Sequence, residues 1–361
     1  MKILKKTFDL PLTQWIQDLK SDDVVVVDET GLLVRQEQFR SVIENKKLLV
    51  HCHDAVSPFF TEQHQDFINF LSQTCCNNKF AFVSVNHYPE FEKFDHYYYF
   101  PEYHAYYYPM YQNSRLDNNV IKKKFLSLNK REDPSRQLVY MKLYHDNLLA
   151  DSYFSYLGEN NNYQHLFLSE SWDDNLQLLK KIIPEIQTWK IPVDRYVKLK
   201  NDQYLAHYLG INYGHGLYDP TWMADEVLYQ TSFCSIICET GPTAHKPNFS
   251  EKTFRAIMQG HPMILIGAKN SVEALRNLGF DMYDDIFDHS YDTVTCPYTR
   301  QMLALKNIDS VANQSLDELK KIKQSLSQRQ LNNIQNYQQL YNKMFQKQDQ
   351  ILKNIAQYVQ S

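Results

Sequence analysis

Short apolar runs near the start of the chain alternate with polar turns and with one stretch of helical spacing. Apolar residues dominate segments 24–27, 48–52 and 79–87, and polar residues follow the first two runs at 28–31 and 53–54. In segment 60–71, between the second and third runs, apolar residues recur near every third or fourth position. A strand, helix, strand order predicts a parallel sheet with polar groups at the carboxyl ends of its strands.

A second set of apolar runs predicts another α/β unit further along the chain. These runs occupy residues 124–129, 164–168, 233–239 and 263–267, with helical stretches between them. The Asn- and Asp-rich segment 111–119 separates the two sets and marks a loop. We therefore predict an α/β fold of two Rossmann-like lobes facing a cleft, with domains at 1–115 and 116–312 and a helical tail at 313–361.

The tail begins with a helix-start signature. Ser315 and Glu318 have the spacing of a capping box, and apolar residues continue from Leu319 to Val359 on a drifting face. One interpretation is a self-associating coiled coil, and another is a set of helices that pack back across both lobes. Because the spacing is not a clean heptad, we favour the second interpretation.

Composition and charge narrow the class of protein. The chain has 361 residues, 43% of them hydrophobic, and a formal net charge of -4. This composition is typical of a folded protein, and the charge gives no global attraction to nucleic acid or anionic lipid. The basic amino terminus is interrupted by Asp9 and Pro11 before a signal-length apolar run builds, and no segment has about 18 uninterrupted apolar residues. We expect a cytoplasmic protein without a membrane span.

Neither the cysteines nor the paired aspartates predict a metal site. Six cysteines are scattered without ligand-like spacing, so we expect reduced, mostly buried thiols. The pairs Asp22–Asp23 and Asp284–Asp285 could bind a divalent cation, but solvated turns are the favoured interpretation. Asp284–Asp285 lies in the acidic and aromatic segment 280–292, which either closes over a ligand or forms a packed connection, the second being favoured. We expect no metal and no separate cofactor.

Residues 249–253 have the pattern of a helix start suited to phosphate. Ser250 can cap a helix whose first-turn amides and positive dipole end attract an anion. Lys252 adds a positive charge within reach of phosphate oxygens, and Glu251 could accept hydrogen bonds from ribose hydroxyls. The alternative is an ordinary capped surface helix with Glu251 and Lys252 in water.

Residues 125–136 leave a predicted strand, turn at Pro134 and enter a predicted helix. Asn129, Arg131 and Arg136 come at or after the strand's carboxyl end. Guanidinium groups match the geometry of phosphate oxygens, so the segment suits a pyrophosphate. Taken alone, the segment is interpreted in preference as a salt-bridged surface turn.

Taken together, these segments resemble the donor-binding lobe of α1,3-fucosyltransferases and their exostosin-like relatives among the two-lobed GT-B glycosyltransferases. The family's Ser-x-Asn, Arg, Tyr and Leu pattern is matched here by Ser127, Asn129, Arg136, Tyr140 and Leu143. Its Phe-Glu-Asn-Ser strand end, Tyr-x-Thr-Glu-Lys helix start and Gly-x-x-Pro-Val strand correspond to residues 237–240, 249–252 and 260–267. The resemblance covers residues 124–292, with Thr240 in place of the family's Asn and Ser250 in place of its Thr.

The resemblance implies a role for each matching residue. Arg136 and Lys252 would hold a diphosphate, Glu251 the ribose, and Glu239 with Thr240 the nucleotide sugar. The implied activity is transfer of a sugar from a nucleoside diphosphate sugar, with a GDP-sugar as the first candidate, to a hydroxyl acceptor, with inversion and without a metal. The acceptor is a glycan, a protein or a modified nucleic acid, the last disfavoured by the near-neutral charge.

The first lobe shows no motif that aligns with the family, so its general base is argued from chemistry. Inverting transfer needs a carboxylate or His that takes the proton of the acceptor hydroxyl. Asp54 and Glu29 follow predicted strands and are the favoured candidates, with His53 and Glu62 as further possibilities. The alternative function is a non-catalytic binding or scaffolding protein on a degenerate transferase fold. The joint presence of Arg131, Arg136, Glu251 and Lys252 argues against it.

Overall fold

The computed structural model describes much of the chain from residue 120 onward and four short strands before it. The described residues are 24–28, 47–52, 80–84, 97–99, 120–131, 133–159, 172–195, 197, 226–239, 247 and 249–360. The chain divides into two compact units, of which one comprises residues 1–110 and 339–361 and the other residues 111–338. The domain limits expected from the sequence, at 115 and 312, stay predictions.

The first unit contains a parallel sheet. Its strands are β1 Val24–Asp28, β2 Lys47–Cys52, β3 Phe80–Ser84 and β4 Tyr97–Tyr99, arranged in the order β1-β2-β3-β4. Every neighbouring pair is parallel. The three strands predicted from apolar runs are confirmed, whereas the helix predicted at 60–71 lies outside the described residues.

The second unit contains another parallel sheet, in the order β6-β5-β7-β8. Its strands are β5 Lys123–Arg131, β6 Ser152–Glu159, β7 Ser232–Cys238 and β8 Met263–Ile266. Strands β5, β7 and β8 were predicted from the sequence, and β6 was not. The strand predicted at 164–168 lies outside the described residues. An α/β fold with parallel sheets is thus confirmed for the described part of the chain.

The strand order changes direction between β5 and β7. The chain goes from β5 to β6 on one side of this pair and from β7 to β8 on the other. Leu126 of β5 is in register with Ser235 of β7, and Cys238 of β7 with Ile266 of β8, so the carboxyl ends of the strands meet at one edge. In open parallel sheets, a crevice outside the carboxyl ends at such a switch point is where ligands bind.

Side-chain caps mark the starts of three of the helices in the described ranges. The helices are α1 Pro134–His145, α2 Trp172–Ile182, α3 Glu226–Gln230, α4 Glu251–Met258, α5 Ser271–Asn277, α6 Pro297–Ala312, α7 Leu316–Ser325 and α8 Ser327–Gln360. The predicted capping box is present at α7, where the Ser315 side chain accepts from the Glu318 amide and Glu318 accepts from the Ser315 amide. None of the helices in the described ranges is long and apolar enough to cross a membrane.

The core of the second unit is centred on β7 and α1. Every residue of β7 is buried, and so are Leu138, Val139 and Leu143 of α1. Tyr140 is buried as well, stacks on Phe154 of β6 at 5.1 Å between ring centroids, and donates to a backbone carbonyl. Tyr140 and Leu143, which carried part of the family resemblance, therefore pack in the core.

The acidic segment 280–292 is a packed connection, as favoured from the sequence. Its aromatic residues Phe280, Tyr283, Phe287 and Tyr291 are all buried. The expectation of solvated aspartates in this segment was incomplete, because they form ion pairs. Asp284 contacts Arg276 at 2.5 Å and His289 at 2.8 Å, and Asp285 contacts Arg329 at 2.8 Å.

Candidate functional site

The end of β5 and the start of α1 form one side of the switch-point crevice. Asp133 caps α1 by accepting from the amide of Ser135 at 2.8 Å, and Pro134 occupies the first helical position, where no amide donor is needed. Arg136 follows in the first turn and is only 4% exposed. The charged head that the sequence assigned to phosphate is thus held at the helix start rather than in open water.

Asn129 does not point a free amide into the crevice. It is buried, and its Nδ2 donates to Oγ of Ser127 at 3.0 Å. Both residues lie in β5 and were part of the family motif. Their mutual hydrogen bond satisfies a buried amide donor, which assigns Asn129 a role in the shape of the strand end.

The start of α4 forms the other side of the crevice. Two local interactions, a side-chain cap and an aromatic contact, fix its position. Oγ of Ser250 accepts from the amide of Lys252 at 3.3 Å, as the cap predicted from the sequence requires. Phe249 precedes the cap and packs edge-on against Phe254, with ring centroids 6.0 Å apart, which is the spacing of a hydrophobic staple. The direction in which the chain enters α4 is therefore well defined.

A third interaction, a pair of hydrogen bonds, connects the start of α4 to the end of β7. Glu239 directly follows β7, is 1% exposed, and accepts at Oε1 from the amide of Ser250 at 3.0 Å. The hydroxyl of Thr253 donates to the same oxygen. One carboxylate oxygen thus clamps the helix start to the strand end, a role that the sequence did not reveal because the partners lie 11 and 14 positions away.

Gly267, just after β8, brings the neighbouring strand end close to Glu239. A Cβ at this position would lie 2.8 Å from Oγ of Ser271 and 3.9 Å from Cβ of Glu239. The carbonyl of Gly267 also accepts from Nε of buried Arg300 at 3.2 Å. A side chain at this position would crowd Ser271, whose Oγ would have to move away.

Electrostatic interactions at Cys238, the last residue of β7, show which charges gather at the crevice. Burial raises the pKa of its thiol to about 12. The positive charges of Arg136 and Lys252 lower that pKa, and the negative charges of Asp133 and Glu239 raise it. Two cationic and two anionic side chains therefore act electrostatically on this strand end, from the first turns of α1 and α4, the cap of α1 and the end of β7.

The structure locates some of the predicted site residues and leaves others undescribed. Ser250 donates its amide hydrogen to Glu239, and Arg136 and Lys252 lie in the first turns of the two helices that flank the switch point. Glu29, Asp54 and Thr240 lie outside the described residues, as do His53 and Glu62, and the side chains of Arg131 and Glu251 also do. Sequence reasoning missed Asp133 and Thr253, although a capping residue before Pro134 was a readable signal.

A neighbouring helix start is already occupied by a side chain of the protein itself. The carboxylate of Asp292 accepts from the amides of Val272 and Glu273 in the first turn of α5, at 3.0 Å each. An anion at that position would compete with this buried carboxylate. Among the residues that the structure describes, no cluster of three or more His, Cys, Asp or Glu side chains could hold a metal ion.

The prediction of reduced, mostly buried thiols can be compared with three cysteines in the described ranges. Cys234 and Cys238 are free and buried, whereas free Cys296 is exposed.

Comparison with models of known protein families, with curated proteins and with solved structures finds no significant match to this chain. The geometry of the crevice between β5 and β7 is therefore the basis for a functional proposal.

Proposed function

We propose that this protein is a glycosyltransferase of two-lobed GT-B architecture that transfers a sugar from a nucleoside diphosphate sugar to a hydroxyl acceptor, with inversion. The observation that supports it most directly is the switch point between β5 and β7. Both flanking helix starts, of α1 and α4, carry a cationic residue in the first turn, Arg136 and Lys252. Proteins with open parallel sheets bind phosphorylated ligands at such positions.

The charges at the crevice suit a diphosphate leaving group. Glu239 and Ser250 already accept from the amides of Ser250 and Lys252 at the start of α4. The attraction for an anion there comes from the positive end of the helix dipole and from the full charge of Lys252. Arg136 can offer parallel donors to two phosphate oxygens. Because Arg136 is buried, its attraction is screened less than that of a surface cation. These groups would stabilise the negative charge that develops as the bond to the sugar breaks.

The first lobe would supply the acceptor site and the general base in this proposal. β1 ends at Asp28 and β2 at Cys52, so Glu29 and Asp54 come one and two positions after strand ends. A carboxylate there would take the proton of the acceptor hydroxyl as that oxygen attacks the anomeric carbon. Cationic side chains in the second unit would do the work that a metal ion does elsewhere.

A thermal-shift panel tests the proposal. The full chain is heated with GDP, UDP, CDP or ADP and with their common sugar conjugates, each with and without EDTA. A rise in Tm confined to one nucleotide and unaffected by EDTA supports the proposed donor site. No rise with any of these nucleotides overturns it and favours a scaffolding protein. Release of the nucleoside diphosphate from the identified donor, on addition of glycan acceptors, then tests for transfer.

A further inference from the structure

Glu239 has one carboxylate oxygen that accepts hydrogen bonds and another to which no described residue donates one. Oε1 accepts from the Ser250 amide and the Thr253 hydroxyl. Oε2 is buried, yet no described residue donates a hydrogen bond to it. A carboxylate accepts at both oxygens, and a buried acceptor left without a donor destabilises the folded protein. Such an atom beside a helix start indicates a place for a donor group of a ligand.

The chemistry of Oε2 restricts what that group can be. A phosphate oxygen is excluded as partner, because it is itself an anionic acceptor and the carboxylate repels it. The partner must carry a hydrogen on oxygen or nitrogen. Since Oε1 contacts the first turn of α4, where we place the diphosphate, the donor must also lie close to the diphosphate. In the nucleoside diphosphate sugar of the proposed reaction, hydroxyls of the ribose and of the transferred sugar meet both conditions, whereas the base lies further away. The ribose is present in every such donor and in the free nucleoside diphosphate, so its hydroxyls can be tested without the transferred sugar.

We infer that Oε2 of Glu239 accepts a hydrogen bond from a ribose hydroxyl, so that the crevice selects ribonucleoside diphosphates over their deoxy analogues. This inference rests on the proposed function. It assigns the ribose to Glu239 at the end of β7 and not to Glu251, the residue that the family resemblance implied. Glu239 then has two tasks, since Oε1 positions α4 and Oε2 selects the sugar of the nucleotide.

Isothermal titration of the full chain tests the inference. The probes are the nucleoside diphosphate with the largest thermal shift and its 2′-deoxy and 3′-deoxy analogues. We expect at least one deoxy analogue to bind the unaltered protein about 10-fold to 100-fold more weakly, the range of a lost hydrogen bond to a charged group. Equal affinity for all three, within about twofold, would overturn the inference and leave the proposed function intact. If no nucleoside diphosphate binds, both fall together.

Three variants assign the selectivity to a residue. Glu239→Gln keeps an oxygen that can accept from Ser250 and Thr253 but replaces the second acceptor with a donor, so the ratio of affinities should collapse to near one. Lys252→Ala should weaken all three probes equally and preserve the ratio. Glu251→Gln should also preserve it. A ratio lost in Glu251→Gln and kept in Glu239→Gln would assign the ribose to Glu251 and contradict the inference. The unaltered protein's ratio is measurable even if a variant fails to fold.

Discussion

Nζ of Lys323 in α7 lies 2.7 Å from the carbonyl oxygen of Ser232, the first residue of β7. It also donates to the carbonyls of Tyr229 and Gln230 at 3.0 and 2.9 Å, and the residue is only 2% exposed. A buried ammonium has three donors, and here each meets an acceptor at the amino end of the central strand. The tail is therefore attached to the sheet through a polar contact as well as through apolar packing.

Replacing Lys323 with Met should destabilise the protein by about 2 to 4 kcal/mol, because three buried carbonyls lose their donor while the volume of the side chain is kept. Chemical denaturation by urea measures the change. Lys321→Met is the matched control, since Lys321 is exposed on the same helix and should change stability by less than about 0.5 kcal/mol. Similar values for the two variants would mean that the contacts of Lys323 contribute little.

Lys252→Ala should weaken binding of the nucleoside diphosphate by about 1.5 to 3 kcal/mol, the scale of a hydrogen bond to a charged group. Lys252 is half-buried at the start of α4, so the fold should stay nearly as stable as before. Titration calorimetry measures the affinity, and a urea curve measures the stability. Lys321→Ala serves as control because α7 contacts the opposite, amino end of β7. Unchanged affinity in Lys252→Ala would show that the phosphate site lies elsewhere.

Thr253→Val should loosen the start of α4 without altering its shape. The variant removes the hydroxyl that donates to Oε1 of Glu239 and leaves a side chain of equal volume. We expect a loss of about 1 to 3 kcal/mol in the free energy of unfolding, together with weaker binding of the diphosphate. Thr188→Val is the control, because the exposed Thr188 donates only to a nearby carbonyl. Equal stability in the two variants would argue against the clamp.

Stability should fall as the pH drops below about 6.5, because His261 is buried in its neutral form. Its Nε2 lies 3.0 Å from the carbonyl of Ser232 and its Nδ1 lies 2.7 Å from Oγ of Ser235, an arrangement for one donor and one acceptor. Burial, followed by the charge of Lys323, holds the pKa of His261 well below its ordinary value. The unfolded chain therefore binds a proton that the folded chain does not.

Below pH 6.5, the free energy of unfolding should fall by about 1.4 kcal/mol per pH unit for each histidine of this kind, until the pH reaches the pKa of that histidine in the folded state. His289 adds to this fall, since burial lowers its pKa also. The pKa of Asp281 is lowered too, mainly by its hydrogen bond to Arg329, but that group acts only below its ordinary value near 3.8. Urea midpoints between pH 8 and pH 5 should show the fall. His261→Gln should reduce the slope.

The sequence predicted the strands that build the crevice better than the contacts inside it. β5, β7 and β8 are apolar runs between polar turns, and the start of α4 is marked by Ser250, so local pattern was enough. β6 was missed because it is an edge of the described sheet, where Ser152, Tyr153 and Ser155 interrupt the apolar pattern. The clamp made by Glu239 joins groups that only the fold brings together, and residue spacing does not encode such partners.

The contacts of Arg329 likewise join residues that are far apart in the sequence. Its guanidinium forms a fork on Asp281, with Nε and NH2 2.5 and 2.8 Å from the two carboxylate oxygens, and also reaches Asp285. It lies over the ring of Tyr283 at 5.0 Å from the centroid. These contacts join α8 to a segment more than forty positions earlier in the chain. Lysine keeps the charge but cannot form the fork.

Arg329→Lys should therefore cost about 1 to 2 kcal/mol of stability at low salt and less at 1 M salt, because the side chains are partly exposed and are screened. Arg195→Lys is the matched control. Arg195 contacts both carboxylate oxygens of Asp173 through the single nitrogen Nη2, at 3.0 and 2.8 Å, and both side chains are about half-exposed, at 49% and 58%. That substitution should change stability by less than about 0.5 kcal/mol. If urea midpoints fall equally in both variants, the fork on Asp281 holds α8 no better than an ordinary surface ion pair.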